Sequence, residues 1–109
     1  MRLVFCHIPL RWTDEVTDAG YDWFSKRSRD LWHDALVKWG AQVVVSGHTH
    51  RVGWLDANDK FPYAQLVGGG PKLGQAAWIE GQAGKDGLRL TVRNLEGKVL
   101  EERGFPRLG

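Results

Sequence analysis

The chain has 109 residues, of which 15 are basic and 13 acidic, and its formal net charge is +2. A charge this small does not indicate a nucleic-acid partner. No apolar run approaches the roughly 18 residues that would indicate a membrane span. The single cysteine excludes an internal disulfide. Length and composition predict one globular domain over residues 1–109, large enough for a hydrophobic core.

The first predicted element is a buried strand at residues 3–6, where the sequence is Leu-Val-Phe-Cys. Met1 leads almost directly into this strand, so the pattern is not that of a signal peptide. The compartment stays open, with the cytoplasm favoured. Pro9 ends the strand. Residues 11–27 mix acidic and aromatic side chains and predict a long irregular connection, a kind of loop that often has a function.

A helix is predicted from about Ser28, which can cap its N-terminus, to Gly40, which can end it. Along it runs an apolar stripe with the 3.6-residue period of a helix that packs one face on a core, formed by Leu31, Trp32, Ala35, Leu36 and Trp39. Residues 42–46 contain an unbroken valine run, typical of a strand buried on both faces in a parallel sheet. Residues 1–50 are therefore predicted to form a βαβ unit with two parallel strands.

The second part of the chain, residues 51–109, predicts an antiparallel β-meander. Its first two strands are expected at 51–56 and 61–67, joined by a hairpin turn at 57–60. The glycines at 68–70, followed by a proline, predict a loop. Three more short strands are expected at 76–80, 88–93 and 98–102. In the second of them apolar and polar residues alternate, which is the pattern of a strand with one face in water.

Two histidines, His48 and His50, directly follow the second strand, and a third, His7, follows the first. Gly47 is expected to allow a tight turn where a side chain would clash. The carboxyl ends of parallel strands meet at one edge of a sheet, and neighbouring strands are about 4.8 Å apart. Three imidazoles at this edge would be close enough to bind one metal ion or a metal pair. The alternative is a set of loop histidines that make ordinary hydrogen bonds.

The segment Gly47-His48-Thr49-His50-Arg51 resembles the Gly-His-x-His motif of the calcineurin-like metallophosphoesterases. The segment His7-Ile8-Pro9-Leu10, after an apolar strand, resembles the preceding histidine motif of that family. The likeness extends from the start of the chain to about Val67, and the later strands fit the family's second sheet. It implies an α/β fold with α+β character: the C-terminal half of a four-layer αββα sandwich, in which a βαβ unit is followed by an antiparallel β-meander.

The resemblance also implies an activity, the hydrolysis of a phosphate monoester or diester at a dinuclear centre of Fe, Mn or Zn. In this family a water activated by the two metals attacks phosphorus in line. His7 and His48 would bind one metal, and His50 would bind the other. Arg51 could contact the substrate phosphate, with a surface salt bridge as the alternative. The resemblance identifies no catalytic acid in this segment.

The family's earlier motifs, Asp-x-His, Gly-Asp-x-x-Asp and Gly-Asn-His-Asp/Glu, do not occur in the sequence. They supply a bridging carboxylate, an Asn ligand and the histidine that protonates the leaving group. We therefore expect the chain to be the C-terminal segment of a larger phosphoesterase. Alone, it is expected to bind metal weakly, to show little or no turnover, and to self-associate through an exposed sheet edge.

Other interpretations stay open at the level of sequence. One is a catalytically inactive module that keeps a metallophosphoesterase scaffold to bind a partner, and another is a mononuclear site of three histidines without phosphatase activity. The loop after His7 could place aromatic rings over the site, or those rings could pack in the core; they are Trp12, Tyr21 and Trp23. Its acidic residues could supply a metal ligand, although a solvated loop is favoured; they are Asp14, Glu15, Asp18 and Asp22.

Two further features have an ordinary structural interpretation. The loop Gly68-Gly69-Gly70 could present backbone amides to a phosphate, but no helix signal follows it, so a plain turn is favoured. The fourth histidine, His33, lies within the predicted helix and is expected to be an exposed or half-buried helical residue.

Overall fold

The structure, a computed structural model, describes residues 1–11 and 19–108, except for the side chains of residues 19–24. In this part of the chain one helix and seven strands form a mixed α/β fold with two sheets. Their bounds are β1 Leu3–Phe5, α1 Ala19–Trp39, β2 Val43–Ser46, β3 Gly53–Leu55, β4 Ala64–Val67, β5 Ala77–Gly84, β6 Gly87–Asn94 and β7 Val99–Pro106. No helix among the described residues is long and apolar enough to cross a membrane.

The first sheet has the strand order β1-β2-β4-β3, in which β1 and β4 both run parallel to β2 and β3 is antiparallel to β4. All four residues of β2 are buried, because this strand has a neighbour on each side and a covered face above and below. The predicted βαβ unit is confirmed, with Leu3 paired to Val43 and Phe5 to Val45. The carboxyl ends of β1 and β2 therefore lie side by side.

The second sheet is the antiparallel meander β5-β6-β7. As the alternation predicts, Leu88, Leu90 and Val92 of β6 are buried and Arg89 is exposed. Thr91, expected on the face in water, is buried instead, and its hydroxyl bonds to Glu102 at 3.2 Å. The three apolar side chains of β6 pack against the first sheet in a core cluster that also contains Val43, Val45, Ala64 and Leu66. The two sheets thus face each other across one hydrophobic core.

The meander is shorter than predicted, because residues 53–67 belong to the first sheet. The expected hairpin between 51 and 67 is present as β3 and β4, but β4 also pairs with β2 in parallel. All four residues of β4 are buried, which requires an interior position in the sheet. The second sheet starts only at Ala77.

The helix begins nine residues earlier than predicted, at Ala19, so the expected N-cap at Ser28 is wrong. Residues 19–27, expected to be part of an irregular connection, are helical instead. Lys26 and Asp30 form an i, i+4 ion pair of 2.9 Å across Ser28, a pairing that stabilises a helix through this point. The pattern of charges, more than the serine, indicates the local structure here.

The face that α1 turns to the first sheet shares only Leu36 with the predicted apolar stripe. Arg29 donates from Nη1 to the carbonyl of Leu10 at 2.7 Å, and His33 Nδ1 lies 2.8 Å from the hydroxyl of Tyr63. Leu36 packs on the core cluster of Leu10, Ala41, Val44 and Tyr63. Because a buried polar group without a partner is costly, the polar groups on this side of the sheet favour a polar helix face.

The apolar stripe of α1, apart from Leu36, is consequently exposed to solvent. Leu31 is 70% exposed, Trp32 46% and Trp39 48%. The guanidinium of Arg2 lies 5.8 Å from the centre of the Trp39 ring, a cation–π contact that covers part of it. The half-buried state of His33 agrees with its predicted position in a helix.

Among the described strands, β1 lies at the edge of the first sheet, and its outer side has unpaired backbone groups and an exposed apolar side chain. The N–H of Cys6 donates to Val45 at 3.1 Å, so the N–H of the preceding Phe5 points to the opposite side. No described strand pairs there, and Phe5 is 72% exposed.

We expect size-exclusion chromatography with light scattering to give a concentration-dependent mass above that of a monomer, because the open β1 edge can pair with a second copy of the chain. Phe5→Lys should lower this mass, because edge lysines oppose strand pairing.

The matched control for this prediction is Leu95→Lys. Leu95 is also exposed, at 54%, but it lies in the turn between β6 and β7. The Leu95→Lys substitution should therefore leave the mass distribution unchanged. A wild-type chain that stays monomeric over the concentration series would contradict edge pairing.

A polar link at Asp56 joins the end of β3 to β7. Asp56 Oδ1 accepts hydrogen bonds from Trp54 Nε1 at 2.6 Å and from Arg103 Nε at 3.3 Å. The bond from Trp54 and, after it, the contact with Arg103 lower the pKa of the Asp56 carboxyl. Since the folded state then favours the ionised form, this link stabilises the fold above the pKa of the unfolded chain, about 3.9.

We expect Asp56→Asn to reduce the free energy of unfolding at pH 7 by less than about 1 kcal/mol, because the carboxylate is largely exposed to water. The difference from wild type should shrink as the pH falls below about 3.9, where the unfolded carboxyl becomes protonated, and disappear below the lowered pKa of the folded carboxyl. Urea unfolding at a series of pH values measures this. Asp59→Asn, in the same turn, is the control and should leave the free energy of unfolding at pH 7 within about 0.5 kcal/mol of wild type, because the side chain is exposed.

Candidate metal site at the carboxyl edge of the first sheet

Two of the predicted histidines are in direct contact. The carbonyl of His7 accepts a hydrogen bond from the N–H of Gly47 at 3.0 Å, so the segments that leave β1 and β2 stay together. His7 Nε2 and His48 Nδ1 are 3.2 Å apart. The ring centroids are 5.0 Å apart, and the rings meet edge to face at 78°.

The spacing of these two nitrogens fits a shared metal ion. Two ligands at about 2.0–2.1 Å from Zn²⁺ in tetrahedral geometry are separated by about 3.3 Å, close to the 3.2 Å between His7 Nε2 and His48 Nδ1. One neutral imidazole can instead donate its N–H to the other. The pair is also partly open to solvent, since His7 is exposed and His48 half-buried. His7 Nε2 and His48 Nδ1 therefore have a spacing that fits two ligands of one metal ion.

The third predicted ligand, His50, is not part of this contact. Among the described residues its side chain makes no hydrogen bond or ring contact, and it is exposed. Its Cβ lies beside Gly70, where an added methyl group would be only 2.7 Å away. Within residues 1–11 and 19–108, no three His, Cys, Asp or Glu side chains are grouped so that they could hold one ion. The structure thus brings His7 and His48 together and leaves His50 next to the glycine loop.

Both histidines of the motif have a left-handed backbone. The φ angle is 72° at His48 and 60° at His50, a region that costs a non-glycine residue on the order of 1–3 kcal/mol. Residues in this region concentrate at functional sites, where the surrounding fold maintains them. Between them, Thr49 Oγ1 accepts from the N–H of Arg51 at 3.3 Å and donates to its carbonyl at 3.1 Å.

The expectation for Gly47 is wrong. Its φ is not positive, and a Cβ built at this position would meet no atom within 4 Å. The tight turn is made instead by His48 and His50. The sequence correctly predicted a turn after β2. The positive φ angle, however, is at His48 and not at Gly47.

The glycine loop 68–70 uses its amides within the protein. The N–H of Gly68 donates to Ser46 at 2.8 Å, and the N–H of Gly70 donates to Gln75 at 2.9 Å. A Cβ at Gly69 would come within 1.9 Å of the Gln75 carbonyl oxygen. The plain-turn interpretation fits these contacts, because two of the three amides are not available to a phosphate.

Arg51, the residue considered for phosphate contact, has an exposed side chain. No ion pair in the described part of the chain includes it; those present are Lys26–Asp30, Arg89–Glu102, Arg93–Glu80, Arg103–Asp56 and Arg103–Glu101. The salt-bridge alternative is therefore not seen among these residues.

A largely buried polar network joins residues that precede the two histidines in the chain, and the sequence did not single it out. Gln65 of β4 is 1% exposed, and Ser46 of β2 is 7% exposed. Gln65 Nε2 lies 3.1 Å from Ser46 Oγ, which is 3.4 Å from Cys6 Sγ. One signal was available: Gln65 is the only polar residue in the four-residue strand Ala64–Val67.

A second polar cluster lies at the opposite edge of the sheet, where β4 begins. Arg11 is buried and donates from Nη1 to the Tyr63 carbonyl at 2.7 Å, and its guanidinium lies 4.9 Å from the Phe61 ring centre. Burial lowers the pKa of Arg11 and raises that of Tyr63. Because the contacts are satisfied within the protein, we interpret the cluster as structural.

Several residues that the sequence analysis considered lie outside the described part of the chain. These are Trp12, Asp14, Glu15 and Asp18, together with the side chains of Tyr21, Asp22 and Trp23.

A scan against protein-family models and a search of curated proteins found no match for this chain. The functional interpretation therefore depends on the motif residues and on their geometry.

Proposed function

We propose that the chain supplies histidine ligands to the metal centre of a metallophosphoesterase, within the four-layer αββα sandwich that the motif implies. The observation that supports this best is the 3.2 Å distance between His7 Nε2 and His48 Nδ1. Two neutral imidazoles at this spacing can bind one divalent ion without rearrangement of the backbone. The parallel strands β1 and β2 and the bond from Gly47 to His7 keep the two segments that carry these histidines side by side.

The other motif residues have distinct roles in this proposal. His50 binds the second metal, which agrees with its separation from the His7–His48 contact. Arg51, exposed beside it, binds a phosphoryl oxygen, since a guanidinium forms strong charge-assisted hydrogen bonds with phosphate. A bound metal pair of Fe, Mn or Zn supplies charge neutralisation of the phosphoryl group and an activated water.

The remaining ligands have to come from other parts of the protein. The carboxylate and Asn motifs that complete such a centre are absent from the sequence, and His7 and His48 alone leave coordination positions open. We propose that a longer reading frame supplies Asp-x-His and Gly-Asn-His-Asp/Glu. A reading frame without them would favour the alternative of a catalytically inactive binding module.

The protein with its upstream sequence should hydrolyse p-nitrophenyl phosphate or bis(p-nitrophenyl) phosphate in the presence of Mn²⁺ or Zn²⁺. His48→Ala should abolish this activity, because it removes a metal ligand. His33→Ala, a histidine in α1 that contacts Tyr63, should retain it. Residues 1–109 alone should show little or no turnover. Strong metal-dependent turnover by residues 1–109, lost in His48→Ala, would contradict the need for further carboxylates.

A further inference from the structure

Gln65 is a polar residue at the centre of the first sheet. It is 1% exposed and lies in β4, next to β2. Burial of an amide is costly unless its donors and acceptors have partners. All of the hydrogen-bonding capacity of Gln65 is used, and its partners come from two segments that lead to the histidine pair.

The oxygen of this amide holds the loop after His7. Gln65 Oε1 accepts from the backbone N–H of Leu10 at 3.1 Å and from that of Arg11 at 3.3 Å. Leu10 and Arg11 are themselves buried, so these amides have no ready access to water. Removal of the acceptor would leave two buried donors without a partner, at a cost of about 1–3 kcal/mol each.

The nitrogen of the same amide holds the strand before His48. Gln65 Nε2 lies 3.1 Å from the Val44 carbonyl, 3.1 Å from Ser46 Oγ and 3.2 Å from the Leu66 carbonyl. Two N–H groups serve these three acceptors. Ser46 also contacts Cys6 Sγ at 3.4 Å, and Cys6 directly precedes His7.

We propose that Gln65 is a positioning residue, which sets the distance between His7 and His48 by holding the loop that follows one to the strand that precedes the other. Its amide connects Arg11 and Gln65, which are 54 residues apart in the chain. An apolar side chain of the same size could fill the space but could not hold the loop. The functional consequence of this inference rests on the proposed metal site, whereas its structural part does not.

The test uses Gln65→Met, which keeps the approximate volume and removes the hydrogen bonds. In the wild type, ¹⁵N NMR should detect a coupling across the hydrogen bond between His7 and His48. We expect this coupling to be lost in Gln65→Met, while the dispersion of the amide spectrum shows that the chain is folded. Zn²⁺ affinity, measured by calorimetry, should fall by about 10- to 100-fold, the range found for residues that orient metal ligands.

Two further variants separate positioning from stability. Leu66→Ala, at the adjacent and fully buried position, should destabilise the fold but keep the coupling and the metal affinity within about 2-fold of wild type, since it removes none of the Gln65 side chain. Ser46→Ala removes one partner of the amide and should weaken metal binding less than Gln65→Met does. It also covers the case in which Gln65→Met fails to fold.

The outcomes distinguish this inference from the proposed function. If Gln65→Met retains the coupling and wild-type affinity, or if Leu66→Ala loses them equally, the positioning role is wrong. If the wild type binds no Zn²⁺ while the coupling is present and depends on Gln65, the metal site fails and the positioning role stands.

Discussion

Replacement of His48 by alanine is expected to weaken Zn²⁺ binding at least about 10-fold, because a direct ligand should matter no less than the residues that orient it. His7→Ala should have an effect of similar size. The reason is the 3.2 Å distance between the two ring nitrogens, which allows both to bind the same ion. Isothermal titration of the purified chain with Zn²⁺ or Mn²⁺ measures the affinities.

The double variant gives the sharper test. If His7 and His48 bind one ion, each single replacement already removes the chelate, and the double replacement should weaken binding little further than either one. Ligands of two separate ions would give additive losses. His33→Ala is the matched control because His33 is a half-buried histidine bonded to Tyr63. Equal affinity of His7→Ala and the wild type would contradict a shared site.

The second large effect is expected at Gly69, where alanine should destabilise the fold by about 3 kcal/mol, at the upper end of the range for overpacking. A methyl group there would lie 1.9 Å from the backbone oxygen of Gln75, so the loop itself would have to move. Gly47→Ala should change the free energy of unfolding by less than about 0.5 kcal/mol, since nothing lies within 4 Å of its added methyl group. Urea unfolding of both variants provides the comparison.

Gly70→Ala adds a readout at the site itself. Its methyl group would lie 2.7 Å from His50 Cβ, so His50 has to shift even if the loop stays folded. The amide resonances of His50 and Arg51 should move more than those of His7. A Gly47→Ala variant less stable than Gly69→Ala would show that the backbone conformation differs from the one described.

The apolar pattern of the sequence was sufficient to predict the β1–β2 part of the first sheet, but not that β4 belongs to the same sheet. Val43, Val44 and Val45 have to be buried on both faces, and only an interior strand of a parallel sheet provides this. The adjacency of β1 and β2 then put His7 and His48 at one edge. The alternation in β6 likewise predicted its buried face, since the period of a strand leaves no other arrangement.

The face that α1 presents to the sheet required the tertiary structure, whereas the i, i+4 spacing of Lys26 and Asp30 already indicated a helix through Ser28. The stripe of Leu31, Trp32 and Trp39 has a helical period, but periodicity does not specify which surface the helix meets. The hydroxyl of Tyr63 and the carbonyl of Leu10 come from distant parts of the chain, and they select His33 and Arg29 as partners. Hydrogen bonds of this kind join residues that are distant in the sequence, so a local sequence pattern cannot predict them.

The sequence by itself determined which residues could bind a metal and at which edge of the sheet they lie. The tertiary structure decided which of them meet: His7 contacts His48, while His50 lies beside Gly70. It also decided what supports the contact, since Gln65 appears in the sequence as one polar residue in an apolar strand. The physical reason is that imidazole spacing and amide satisfaction depend on distances of a few tenths of an ångström, whereas apolar burial depends only on which face a residue occupies.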